Sequence, residues 1–347
     1  MPYLNIFNNP IADISFLESI EIDKSQNQIQ YGDVFFTTSS ETPEEVGMSS
    51  VWLGKSTNIY LNSFCFGFRS TVEFNPYYFG YLLRSDTFRK PITILAQGIS
   101  RFNISKTKVM EIEIPLPSKD EQSKIGELFK NLDNLITLHQ RKYEKLQTLK
   151  KALLEKMFPA NNDDIPQIRF KGFTDAWEQR KYEDIGVCSS GGTLSYASLS
   201  DNGQYKCILY GDLYTLYNAT IFEIERRTNQ KGNTIYQNDI LFPQSTTVDA
   251  YSLISPACLN DKTAETSGVF VIRPNKDIDG NFIAYYSKDN ETQRNKLAKK
   301  AQGLTIVHLY YQSIKNEIIL IPSFNEQIKI SSLLINLDSL ITLHQRK

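Results

Sequence analysis

From Ile125 onward, apolar residues recur in alternating steps of three and four: Leu128, Leu132, Leu135, then Leu146, Leu149 and Leu153 beyond a polar interruption at His139 and Lys142. That spacing gathers them on one face of a helix as a heptad seam. Ser118, with Glu121 three residues later and just past an Ile-Pro-Leu-Pro stretch, is a capping-box pattern. It predicts a helix from about Ser118 to Met157, which at ~1.5 Å per residue would span roughly 60 Å and must pack on something. The same signals return near the end of the sequence. Ser323 and Glu326 follow Leu-Ile-Pro, and Ile330, Leu333, Leu337, Leu340 and His344 repeat the seam.

The recurrence is a true repeat. LDNLITLHQRK (132–142) returns as LDSLITLHQRK (337–347), ten of eleven residues alike at an offset of 205. At the same offset Glu121-Gln122 meets Glu326-Gln327, Pro117 meets Pro322 and Gln97-Gly98 meets Gln302-Gly303. Further upstream YGDVFF (31–36) resembles QNDILF (237–242), and the residues around Arg69 resemble those around Arg273. Each unit is therefore a divergent globular part followed by a nearly invariant tail. Two helices with one seam, separated by a folded lobe, are expected to pair as an antiparallel coiled coil, with pairing between molecules as the alternative. His139 and His344 hold equivalent seam positions and read as polar residues that set register.

The globular parts mix two periods. YGDVFFTT, SFCFGF, EIEIPL, NDILFP, GVFVIRP and EIILIP predict short strands, whereas YYFGYLLRSDTFRKPI and FIAYYSKDNETQRNKLAKKA have helical spacing. The expected class is mixed α/β (α+β). Pro159 and Asn161 to Asp164 predict the end of the long helix. The expected segments are a first lobe at 1–117, a central helix at 118–160, a second lobe at 161–322 and a short closing helix at 323–347.

Composition narrows the function classes. A chain of 347 residues suits about two domains. The formal charge of -1 excludes a generally basic protein, while nucleic-acid binding depends on where Lys and Arg lie. Cys65, Cys188, Cys207 and Cys258 form no CxxC pair, which argues against a zinc module and fits a reducing cytoplasm. No apolar run reaches the ~20 residues that cross a bilayer, and no basic-then-apolar leader opens the sequence. A cytoplasmic protein with no membrane association is expected. Asn75-Pro76-Tyr77-Tyr78 approaches the Asn-Pro-Pro-aromatic loop of adenine methyltransferases but lacks the second Pro and any glycine-rich turn for a methyl donor. SSVWLGKS (49–56) has Ser49 where a phosphate loop needs Gly. No catalytic residue and no metal site are expected.

The order of a variable lobe, Gln-Gly, an Ile/Leu-Pro segment followed by Glu-Gln, a helix ending in LITLHQRK and then FKGFTDAWEQRKYEDIG closely resembles the specificity subunit of type I restriction-modification enzymes. The resemblance covers nearly the whole chain. It is strongest over 115–158 and 168–181. The resemblance implies two target-recognition domains joined by long antiparallel coiled-coil helices with a pseudo-twofold internal repeat. Each domain would read one half of a split double-stranded DNA sequence. The helices would hold the domains apart and dock modification subunits that methylate adenine with S-adenosylmethionine, and a restriction subunit would add ATP- and Mg-dependent translocation and cleavage. This chain itself would bind no cofactor. Counterparts of Gly172 through Gln204 are missing ahead of Met1, so the first lobe is expected to lack its opening segment. A fragment acting only as a coiled-coil assembly module, without reading DNA, is the alternative.

Base readout needs donors and acceptors on loops at strand ends. In the first lobe Thr38, Ser39, Ser40, Lys55, Arg69, Arg101 and Asn103 are the candidates. In the second they are Gln244, Ser245, Thr246, Thr247, Arg273, Thr305 and His308. Arg101 and Asn103 stand out, because Gly98 permits close backbone approach to a phosphate. In the second unit Ile306 replaces Arg101, as two heads with different half-sites would allow.

Overall fold

The computed structural model describes the chain except for residues 13, 15, 16, 22–25, 161, 162, 346 and 347. The turn expected at Asn161 and Asn162 and the terminal Arg346 and Lys347 therefore lie outside the described residues. The chain forms two compact units, Met1–His139 and Gln140–Lys347. Their division falls inside one continuous 38-residue helix, Lys119–Lys156.

In the first unit the run VFFT becomes the inner strand Val34–Thr37, buried along its whole length. It lies in a four-stranded sheet ordered Ile11–Ala12, Ser49–Trp52, Val34–Thr37, Cys65–Phe68. Phe36, Val51, Phe79, Leu83, Phe88 and Ile92 fill the core between this sheet and the helices Pro76–Leu82 and Asp86–Leu95. Burying such side chains yields about 1.5–3 kcal/mol each before entropy is counted. The Asn75 side chain accepts from the Tyr78 amide at 3.1 Å, and Pro76 takes the first helical position. Asn75 is thus a helix cap.

The second unit repeats this plan with more sheet. Five strands run in the order Thr220–Ile221, Ala257–Leu259, Ile240–Pro243, Val269–Pro274, Gly186–Ser190, and four more in the order Arg227–Thr228, Tyr205–Leu209, Thr263–Ser267, Asn233–Tyr236. The register Ile240↔Ile272 reproduces Val34↔Phe68 of the first unit. Helices Gly280–Asp289 and Glu291–Ala298 pack on this frame, separated by the cap Asn290.

The closing helix, Phe324–Gln345, packs on the later half of the long helix inside the second unit. The Gln345 amide donates to the Tyr143 hydroxyl at 2.8 Å, while Lys150 reaches Asp338 at 2.7 Å. Moving forward on one helix means moving back on the other, so the pair is antiparallel. Leu154, Met157 and Phe158 share a core with Ile330 and Leu334.

Three expectations need correcting. EIEIPL forms no strand: residues 112–117 belong to no helix or sheet. Its counterpart Ile318–Ile321 is a strand because Glu178–Lys181 pairs with it, and no described strand does so in the first unit. The seam is also shifted. Leu149 is exposed, and Lys150 takes the inward position because Asp338 and Asp289 accept its charge. On the closing helix Leu334 and Asp338 are buried while Leu333 is half-buried and Leu340 exposed; Leu128, Leu132 and Leu135 are exposed as well. Finally, Glu326 does not cap its helix reciprocally. It is buried and binds Arg169 through both carboxylate oxygens, at 2.9 and 2.7 Å.

Candidate nucleic-acid interface

Each unit builds a small ribbon at one end of its main sheet. In the first, Ser39–Ser40 pairs antiparallel with Phe102–Asn103, in register Ser39↔Asn103 and Ser40↔Phe102. In the second, Ser245–Thr246 pairs with Val307–His308 through Ser245↔His308 and Thr246↔Val307. Loops separated by some sixty residues of sequence are thereby joined. Thr38, Ser39, Ser40, Arg101 and Asn103 come together, as do Gln244, Ser245, Thr246, Thr247, Thr305 and His308. A two-stranded ribbon is one of the shapes that the major groove admits.

Within these ribbons the side chains divide by exposure. Ser39, Ser40 and Thr246 are buried, whereas Arg101, Asn103, Thr247 and Thr305 are exposed. The buried hydroxyls serve the ribbon itself: Ser39 accepts from the Arg101 guanidinium at 3.3 Å, Ser40 donates to Glu45 and Thr246 accepts from the Val248 amide. The Thr38 hydroxyl donates to the Phe64 carbonyl at 2.7 Å. His308 stacks on Tyr310. Arg89, from the helix behind, donates to the carbonyls of Glu44, Val46 and Gly47 and so fixes the loop after the ribbon. Exposed Lys106 and Lys108 follow the first ribbon. Beside the second, a cleft of about 690 Å³ is lined by the candidate Thr247 together with Tyr196, Tyr210, Tyr214 and Lys288, four residues the sequence reading did not single out.

Lys55, Arg69 and Arg273 lie elsewhere. The register Val34↔Phe68 sets Arg69 at the end of the sheet opposite Ser39, and Val34↔Val51 places the segment leading to Lys55 at that same end. Arg69 binds both oxygens of Asp33, at 2.7 and 2.8 Å. Arg273 does the same to Asp239, at 2.9 and 2.7 Å, and covers the Tyr236 ring. Asp33 and Asp239 also accept backbone amides of the turns before their strands, so each Arg–Asp pair ties two strands together.

This bonded frame is duplicated. Tyr81 donates to Asp133 in the first unit, and Tyr285 to Asp338 in the second. Gln122 accepts from the Asn75 amide and donates to the Pro117 carbonyl, just as Gln327 does with Asp279 and Pro322. The invariant tail is thereby keyed into each lobe by the same polar contacts. Among the described residues no group of three or more His, Cys, Asp or Glu could hold a metal ion. Among them, too, no helix is long and apolar enough to cross a membrane. Ser49 of the imperfect phosphate loop lies in a central strand, and a Cβ at Gly54 would collide with the Trp52 ring.

Comparison with known proteins agrees with this duplicated architecture. Residues 1–148 and 174–347 match the family model described as the type I restriction modification DNA specificity domain. The putative type I restriction enzyme MjaX specificity subunit of Methanocaldococcus jannaschii is 24% identical, over 97% of this chain and 79% of its own length. The MjaVIII specificity subunit of the same organism is 21% identical, over 94% of this chain and 77% of its own. Among solved structures, the type I restriction-modification S subunit from M. genitalium superposes with a TM-score of 0.57 at 15% identity, over 100% of this chain and 87% of that one. A chain from a structural study of complex assembly and conformational transition of the type I R-M system gives 0.50 at 17% identity, over 92% of this chain and 77% of that one. Two matched segments that together cover most of the sequence establish that the chain belongs to the type I restriction-modification DNA specificity family.

Proposed function

We propose that this chain is the DNA-reading subunit of a type I restriction-modification complex, with each unit reading one half of a split double-stranded target. The first head works through Thr38 and the Arg101–Asn103 arm, and the second through Gln244, Ser245, Thr247, Thr305 and His308. Exposed polar side chains supply base-edge contacts, while Arg101, Lys106 and Lys108 engage phosphates. Buried Ser39, Ser40 and Thr246 position the ribbons. Lys55, Arg69 and Arg273 contact DNA only as phosphate partners at the far sheet ends. The observation that carries the reading is the same two-stranded ribbon at the same end of the sheet in both units.

On this reading the chain performs no catalysis and binds no cofactor. Modification subunits dock on the paired helices and methylate adenine with S-adenosylmethionine, and a restriction subunit uses ATP and Mg. The test is a gel shift with the purified chain, with and without its modification subunits, on a duplex library of split sites. Retention of duplexes sharing two short half-sites at a fixed gap is expected. Failure of the assembled complex to enrich any sequence overturns the reading, and methyl transfer by the chain alone overturns its non-catalytic part.

A further inference from the structure

Beyond each ribbon the chain makes a tight hairpin whose tip carries a bare aliphatic side chain. Ile99 is 99% exposed and Leu304 100% exposed, and they occupy equivalent places in the two units. The hairpins are rigidly closed. Gln97 and Asn103 exchange backbone hydrogen bonds of 2.9 and 2.8 Å, and Gln302 and His308 exchange bonds of 2.9 and 2.7 Å. Gly98 and Gly303 have φ of +150° and +116°, and a Cβ on either would lie 2.0 Å from the carbonyl oxygen of Arg101 or Ile306. Glycine is thus required to pinch both turns.

The tip sequences otherwise differ: Ser100 corresponds to Thr305 and Arg101 to Ile306. A branched aliphatic residue at the apex survives in both. It touches no core, so it contributes nothing to folding that a polar residue would not. A fixed backbone lowers the entropy lost when such a side chain is buried on binding. The surroundings point to the occupant. Exposed Arg101, Lys106 and Lys108 follow the first tip in the chain and exposed Lys299 precedes the second, charges that suit the phosphates of a DNA backbone.

We infer that Ile99 and Leu304 are wedges, each entering the DNA duplex at one base step per half-site and partly unstacking it, as apolar side chains do in proteins that kink DNA. This rests on the DNA-reading function proposed above. Arg101 and the lysines then hold the phosphates near the opened step, and the ribbon behind reads the neighbouring base edges.

The test uses the full chain assembled with its modification subunits on a duplex carrying the split target, with 2-aminopurine placed in turn at each position away from the methylated adenines. A several-fold rise in fluorescence is expected at one step in each half-site. Ile99→Ala should abolish one rise and Leu304→Ala the other, each weakening binding by roughly tenfold or more, as when an aliphatic side chain no longer leaves water on binding. Ile99→Leu should retain both. Absence of any rise, or its persistence in both alanine variants, overturns the wedge. So does loss of assembly with the modification subunits in either alanine variant, measured by light scattering, because the tips would then be protein-docking residues. A wild-type complex that assembles but binds no duplex instead overturns the DNA-reading function itself, before any variant is needed.

Discussion

Lys150 shows how much one side chain can settle. Burial pushes its pKa down, but Asp289 at 3.0 Å and Asp338 at 2.7 Å more than offset this and leave it above the ordinary lysine value. Lys150→Met would strand two mostly buried carboxylates, so a loss of about 3–5 kcal/mol is expected in urea unfolding. A change below about 1 kcal/mol would show that the cluster is merely solvated surface. Lys288 tests the opposite sign. Burial pushes it down to about 8 from 10.5. Its folded pKa lies below the unfolded one, so the destabilisation is fully present below pH 8 and is relieved as pH rises from about 8 to about 10.5. The stability of the wild type relative to Lys288→Met should therefore climb over that window. A flat difference would contradict the burial. Neither lysine was legible in the sequence, where a charge run reads as solvated surface and the facing carboxylates lie far along the chain. The pairing of Arg69 with Asp33 and of Arg273 with Asp239 was likewise not legible, because nothing local in the sequence announces an ion pair between residues more than thirty positions apart.

Among elements, the long helices, the inner strands and their order of occurrence could be read from periodicity. EIEIPL could not, because a strand exists only where another strand supplies its ladder, and that partner is a fact of the fold. On the later half of the long helix the seam was readable to within one position, Leu149 and Lys150 exchanging roles because apolar pattern alone cannot foresee a paired lysine, whereas Leu128, Leu132 and Leu135 on the earlier half are exposed. The ribbons lay within reach as two separate loops, although nothing local announced that Ser245 faces His308. Gly303→Ala tests the hairpin as an element. With φ at +116° and the Ile306 carbonyl 2.0 Å from the new Cβ, the turn must reopen. The expected strain is about 1–3 kcal/mol, with cooperative unfolding kept and DNA binding weakened. Unchanged binding would mean that the tip's placement is irrelevant.

For the whole molecule, the repeat in the sequence carried the most information. It foretold two similar units, and the structure adds that the invariant tails are keyed into them by matched contacts, Tyr81 to Asp133 and Tyr285 to Asp338. Divergent reading loops on a repeated frame are what a split target requires. What sequence pattern could not give is which bases are read, since contacts to base edges depend on side-chain placement. The most direct measurement is a genome-wide map of methyladenine in cells expressing this chain with its modification subunits, compared with cells carrying Thr247→Ala or lacking the gene. The account expects methylation at a two-part sequence with a fixed unread gap, lost without the gene, and altered by Thr247→Ala in one half only. A contiguous site, or a change in both halves together, would contradict it.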